Sequence, residues 1–202
     1  MTVEANTEQR IKDAARKVFV SKGFAGARMQ DIADEAGINK ALLHYYYRSK
    51  EKLFEVIFDE VFGVMLTRIQ GIISSDLSVH DKINAFVDQY ITVIQENPHV
   101  PLFVIHELSQ DPERFVEKVG AKGQISNVAA FFAQITEEMY AGKIRAYQPI
   151  HLMMNILAMC VFPFIAKPML KTVTGISEEM WQMMMENRRE EVKRFIFNAL
   201  AV

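Results

Sequence analysis

The chain has 202 residues, half of them apolar and 24% charged, with a net charge of −2 and only 9 Gly and 6 Pro. That balance excludes collagen, low-complexity and disordered chains. A single cysteine, Cys160, excludes a disulfide framework and a Cys-based zinc site. The charge is unevenly spread: residues 1–54 hold ten Lys/Arg and seven Asp/Glu, net +3, and the remainder carries −5. A basic end on an acidic body is the pattern of a nucleic-acid-binding head joined to a partner or ligand domain.

The opening MTVEANTEQR has neither the basic start nor the apolar core of a signal peptide. The most apolar stretch, residues 152–166, is shorter than a membrane span and is interrupted by Asn155 and Pro163. The expectation is a soluble, cytoplasmic chain with no membrane partner.

Helical periodicity runs from end to end, and hairpin turns and sustained alternation are missing from the sequence. Ile11, Ala14, Ala15, Val18 and Phe19 fall on one helix face, with Gly23 as its stop. Met29, Ile32, Ala33 and Ala36 repeat the pattern in a shorter helix ending at Gly37. Asn39 is placed to cap a third helix, with Ile38 and Leu43 as a hydrophobic staple, and Ser49 to cap a fourth that runs to about Ile73. Further helices are expected near 78–96, 101–109, 112–119, 121–141, 149–170 and 177–201, separated by Ser, Asn-Pro, Asp-Pro and Gly breaks. Pro163 and Pro168 should kink or end the helix that holds them. The Arg188-Arg189-Glu190-Glu191 run reads as a solvated face.

The segment from Met29 to Tyr47 has the layout of a helix-turn-helix, whose second helix enters the major groove. Ala33 and Ala36 are small enough for a close crossing, and Gly37 tolerates a left-handed turn. Leu43 and Tyr47, at i and i+4, point inward with Ile38, which leaves Lys40, Ala41, His44 and Tyr45 to face DNA.

The run GFAGARMQDIADEAGINKALLHYYYRSKEKLF resembles the N-terminal domain of TetR-family transcriptional regulators. Gly23-Phe24, Ile32-Ala33, Ala36-Gly37, Leu43, Tyr46, Lys50, Glu51 and Leu53 match the family pattern. Ile38, Asn39 and Tyr47 are mild changes from its Val, Ser and Phe. Ala27 and Arg28 stand where the family has a capping Thr or Ser, and His44 stands where it has Tyr.

The resemblance implies an all-α chain: a three-helix helix-turn-helix head over residues 1–52 and a larger helical effector-binding and dimerisation body over 53–202. It implies that Lys40, Ala41, Leu42, His44 and Tyr45 lie at or near base edges, close to Asn39. Tyr46 and Lys50 would hold the phosphate backbone with Arg28 and Gln30. Partners would be a palindromic double-stranded operator, a second copy of the chain and a small effector, with release of the operator making the protein a repressor.

The 12 Met and 14 Phe of the chain concentrate after the head and suggest an apolar, adaptable cavity in the body. Its candidate lining is Phe62, Met65, Phe86, Phe103, Phe131 and Met154, with Tyr90, His106, Glu107, Gln134 and Asn155 as polar anchors. Leu152, Ile156, Met159 and Phe162, with Trp181, Met184, Val192, Phe195, Ile196 and Leu200, form the expected dimer face. The five histidines show no metal-ligand spacing, and no phosphate loop or nucleophile elbow occurs, so no cofactor, metal or catalytic residue is expected. Other readings of the same residues are a helical partner-binding protein and a DNA-binding protein with no effector.

Overall fold

The computed structural model describes residues 3–97, 100–121 and 127–202, with the side chains of 3–5, 61, 64, 103, 106, 118 and 121 left aside. Every element among the described residues is a helix: α1 Val3–Gly26, α2 Met29–Ala36, α3 Lys40–Tyr46, α4 Lys50–Ile73, α5 Val79–Glu96, α6 Val100–Gln110, α7 Pro112–Ala121, α8 Val128–Tyr140, α9 Pro149–Thr174, α10 Glu178–Glu186 and α11 Arg188–Leu200. The expected 121–141 helix starts at Val128, after Asn127 at φ +78, and residues 122–126 lie outside the described residues. The expected 177–201 helix is two helices joined at Asn187.

The chain divides into two compact units, residues 1–64 with 99–121 and residues 65–98 with 122–202. In the first, Ile11, Ala15, Phe19, Ile32, Ala33, Leu43 and Leu53 are fully buried, the small residues letting α2 sit close on α1. An aromatic cluster continues this core. Phe54 meets Phe19 and Phe24 edge-on at 5.2 and 4.9 Å, Phe58 stacks on Phe62 at 4.7 Å, and Phe115 of α7 closes edge-on over both.

The second unit has a core of Val79, Ile83, Val87 and Ile91 from α5, Ile135 from α8, Leu152, Ile156 and Cys160 from α9, and Val192, Ile196 and Leu200 from α11. Of these, Leu152, Ile156, Val192, Ile196 and Leu200 are expected from the sequence on a dimer face. Their spacing is that of a helix buried against its own chain, and Trp181 is also buried, whereas Phe162, Met184 and Phe195 remain exposed. An outward stripe on α9 instead carries Ile150, Met154, Phe162, Met169 and Val173.

Helix α9 passes through Pro163 and Pro168 without ending. A proline has no N–H to give, so Pro163 leaves the carbonyl of Met159, four residues back, without its helical partner. Arg188 supplies the missing donors: its Nε and Nη2 lie 3.2 and 2.8 Å from the Met159 oxygen. Arg189 donates to Thr92 Oγ1 and Gln95 Oε1. The Arg188-Arg189 pair is therefore a structural clamp rather than a solvated face, because each guanidinium meets acceptors that only the folded chain brings near. At 26 residues α9 is long and apolar enough to cross a membrane, which the 152–166 stretch alone was not. Here Leu152, Ile156 and Cys160 from it build the core.

Candidate nucleic-acid interface

A break in α1 sets off the helix-turn-helix. Gly23 has φ +66 and ψ 176, which interrupts the helical geometry and turns the chain toward α2. Three groups secure this corner within the first unit. The Phe24 N–H donates to Glu107 Oε1 at 3.2 Å, Lys50 Nζ donates to the Phe24 and Ala27 carbonyls at 2.7 and 3.1 Å, and Arg114 lies 3.8 Å from the Phe24 ring centroid. The Lys50 ammonium also stands 4.4 Å over that ring.

Helix α2 starts without a hydroxyl cap. Asp31 does that work from the first turn: its Oδ2 accepts from the Arg28 N–H at 3.1 Å and pairs with Lys22 at 3.0 Å. Lys22, and then the Arg28 N–H, hold the Asp31 carboxyl below the usual carboxylate range. Gln30 is turned along its own helix, donating to Asp34 at 2.7 Å. At the other end Gly37 takes φ +63, ψ 39, and the Ile38 N–H reaches back to the Ala33 carbonyl at 3.0 Å. Arg10 from α1 covers the same end, donating to the Ala36 carbonyl at 2.6 Å. No local pattern marked Arg10, since its partner lies 26 residues away.

Asn39 caps α3 as its position predicts, with Oδ1 accepting from the Leu42 N–H at 2.8 Å. Leu43 is fully buried and Tyr47 nearly so, with the Tyr47 hydroxyl donating to Glu8 at 3.1 Å. Burial, and then the Glu8 carboxylate, push the Tyr47 phenol well above its ordinary value. The opposite face presents Lys40, Ala41, Leu42, His44 and Tyr45 to solvent, and Tyr46 packs edge-on against Tyr45 at 5.5 Å. Lys12, Arg16, Lys17 and Lys22 are engaged in ion pairs, whereas exposed Arg28, Lys40 and Arg48 make none among the described residues. Arg48 is an exposed cation between the motif positions Tyr46 and Lys50.

The residues expected around an effector cavity are dispersed. Phe62 belongs to the aromatic cluster of the first unit, and Glu107, 5% exposed, accepts from the backbone at the Gly23 corner. The side chains of Phe103 and His106 lie outside the described residues. In the second unit Met65 is buried. Phe86 stacks on Tyr90 at 5.3 Å, and both flank the core together with Phe131. Burial lifts the Tyr90 phenol to about 12. Gln134 accepts from buried Lys82 at 2.6 Å and donates to the Leu77 carbonyl at 2.8 Å. Met154 and Asn155 point outward, Asn155 donating to the Tyr147 hydroxyl at 2.8 Å. A cleft of about 410 Å³ between α9 and α11, lined by Met159, Arg188, Phe195 and Asn198 among others, contains none of the expected residues. Among the described residues no His, Cys, Asp or Glu cluster could hold a metal ion.

Residues 11–57 match the model for bacterial regulatory proteins of the tetR family. The HTH-type transcriptional regulator RutR of Escherichia coli K12 is 28% identical over 82% of this chain and 77% of its own. A tetR family transcription regulator from Shewanella sp. PV-4 is 25% identical, with a TM-score of 0.60 over 97% of this chain and 98% of that one. The regulator FadR of Bacillus subtilis, solved in complex with stearoyl-CoA, shares the fold at a TM-score of 0.58 over 92% of this chain and 97% of that one, with 16% identity.

Proposed function

From the premise that this chain is a TetR-family transcriptional regulator, we propose that it works as a homodimeric repressor, released from a two-fold operator by a small, largely apolar effector. The observation that carries the DNA half is the exposed face of α3, with Lys40, Ala41, Leu42, His44 and Tyr45 together on one side of a capped helix. A helix whose other side is buried against the head can enter the major groove with this face toward the bases. Arg28, Lys40 and Arg48, free of ion pairs among the described residues, supply charge for phosphates, with Gln30, Asn39, Tyr46 and Lys50 as further DNA contacts. Residues 1–52 act as the DNA-binding part, supported within their own compact unit by 53–64 and 99–121, and the rest of 53–202 acts as the effector-binding and dimerisation part.

Two features support the rest. The α9 stripe of Ile150, Met154, Phe162, Met169 and Val173 is an apolar surface of the kind a second copy covers, and two copies related by a two-fold read two half-sites. The second-unit core is bordered by partly buried Phe86, Phe131 and Tyr90, an apolar setting with a hydroxyl for which no hydrogen bond is made among the described residues. FadR's stearoyl-CoA, a long apolar chain on a polar head, is in keeping with such a ligand. Release requires the effector to prefer the state whose heads no longer match the half-site spacing.

Selection of bound fragments from random duplex DNA, then titration at two salt concentrations and sedimentation of the complex, tests this reading. The expected result is a palindromic site bound by two copies. Weak, salt-labile binding with no sequence preference refutes it and favours a partner-binding role.

A further inference from the structure

The family's Tyr is replaced in this chain by His44, and the structure fixes how that ring is presented. His44 lies on the exposed face of α3, and its Nδ1 stands 3.3 Å from the carbonyl oxygen of Arg48 in the turn that follows the helix. A carbonyl oxygen only accepts, so a hydrogen bond there requires the proton on Nδ1. A neutral imidazole carries one N–H, which leaves Nε2 as a bare lone pair. The two ring nitrogens diverge, so a ring anchored through Nδ1 directs Nε2 away from the anchoring turn.

We propose that His44 is a specificity-determining residue that reads the operator as an acceptor, through Nε2, and so selects a base with an exocyclic amine in the major groove: adenine N6 or cytosine N4. This rests on the reading of α3 as the base-facing helix. Guanine offers N7 and O6 and thymine offers O4 at the corresponding edge, all acceptors that face a lone pair unfavourably. A phosphate oxygen does the same, so the neutral ring is a poor backbone contact. A tyrosine at this position, with a hydroxyl that both donates and accepts, makes no such distinction.

The test compares selected operators for the wild type, His44→Ala and His44→Arg, with thermal melting to confirm that the exposed-site variants fold alike. In the wild type, deleting the exocyclic amine at one pair of each half-site (purine for adenine, pyrimidin-2-one for cytosine) should weaken binding about fivefold to tenfold, the worth of one hydrogen bond. That penalty should vanish in His44→Ala, and His44→Arg, whose guanidinium only donates, should select a different pair that turns guanine N7 and O6 toward it. If deleting the amine at every pair of the half-site leaves wild-type binding unchanged, the acceptor role is overturned while the recognition helix stands. Equal loss on operator and random DNA in His44→Ala likewise overturns base reading by His44. If the wild type selects no sequence at all, both the role of His44 and the reading of α3 fall together.

Discussion

Helices α2 and α3 of the head are eight and seven residues long, whereas α9 in the second unit has 26. The two regions are held accordingly. Short helices bury little and cannot sustain themselves in water. The head therefore pins its helix ends with polar groups: Asp31 and Asn39 at the starts of α2 and α3, Arg10 at the end of α2, Lys50 and Glu107 at the Gly23 corner. The second unit relies on eleven interlocking apolar side chains and needs a polar clamp mainly where Pro163 breaks the backbone ladder. Burial sets the strength of one region, and directional bonds set the geometry of the other.

Shortening a core side chain should show the largest effect. Ile156→Ala, which removes a side chain 5% exposed at the centre of the second unit, is expected to cost about 2–5 kcal/mol in denaturant unfolding. A loss under about 1 kcal/mol would mean that the apolar core is not what holds that unit. Arg188→Ala strips the Met159 carbonyl of both its donors and should cost about 1–3 kcal/mol. The same change in a Pro163→Ala background should cost less, because alanine restores the helical N–H, and a double-mutant cycle measures that difference.

In the head, Lys50→Met removes two hydrogen bonds to carbonyls and should lower the melting temperature while weakening all DNA binding. If melting is unchanged but the salt slope of binding falls by about one, Lys50 acts on phosphate alone. Asn39→Ala should cost about 1 kcal/mol, the usual worth of a helix cap, and should reduce operator affinity through fraying of α3. Asn39→Ser should restore most of it.

At neutral pH the smallest effect is that of two buried acids, which emerges only in the alkaline range. Burial raises both the Cys160 thiol and the Tyr90 phenol to about 12, from ordinary values of 9.0 and 10.0. Each is bound more tightly to its proton when folded, so its contribution is intact below the unfolded value and is lost as pH rises through the folded one. Unfolding free energy should therefore decline from about pH 9 toward 12. Cys160 should resist thiol reagents at pH 8 until the protein unfolds. Rapid labelling of the native chain would show that the second-unit core opens more readily than its packing indicates.

The comparison also explains which parts of the molecule could be read from sequence. The head was legible because its signals are local: Gly37 at the left-handed turn, Asn39 as the cap of α3, and Leu43 and Tyr47 on the inner face all follow from spacing within a few residues. The body gave helix positions but not neighbours. Leu152, Ile156, Val192 and Ile196 are apolar at helical spacing whether they meet their own chain or a second copy, and periodicity does not distinguish the two. Phe62 and Glu107 looked like cavity residues for the same reason, since apolar surroundings in sequence do not say which surface a side chain meets.

What the sequence determined by itself was the all-helical class, the helix-turn-helix and the face of α3 left outward, because these depend on backbone preferences and on contacts at i+3 and i+4. Only the tertiary structure decided that Arg10 ends α2, that Glu107 and Arg114 of α6 and α7 belong with the head, that Arg188 repairs the Pro163 gap, and that His44 turns Nδ1 toward Arg48. Most of these contacts join groups tens of residues apart. Even the short His44–Arg48 contact turns on one ring rotamer, and a hydrogen bond is settled by where two atoms come to rest in space, which residue type and spacing along the chain do not fix.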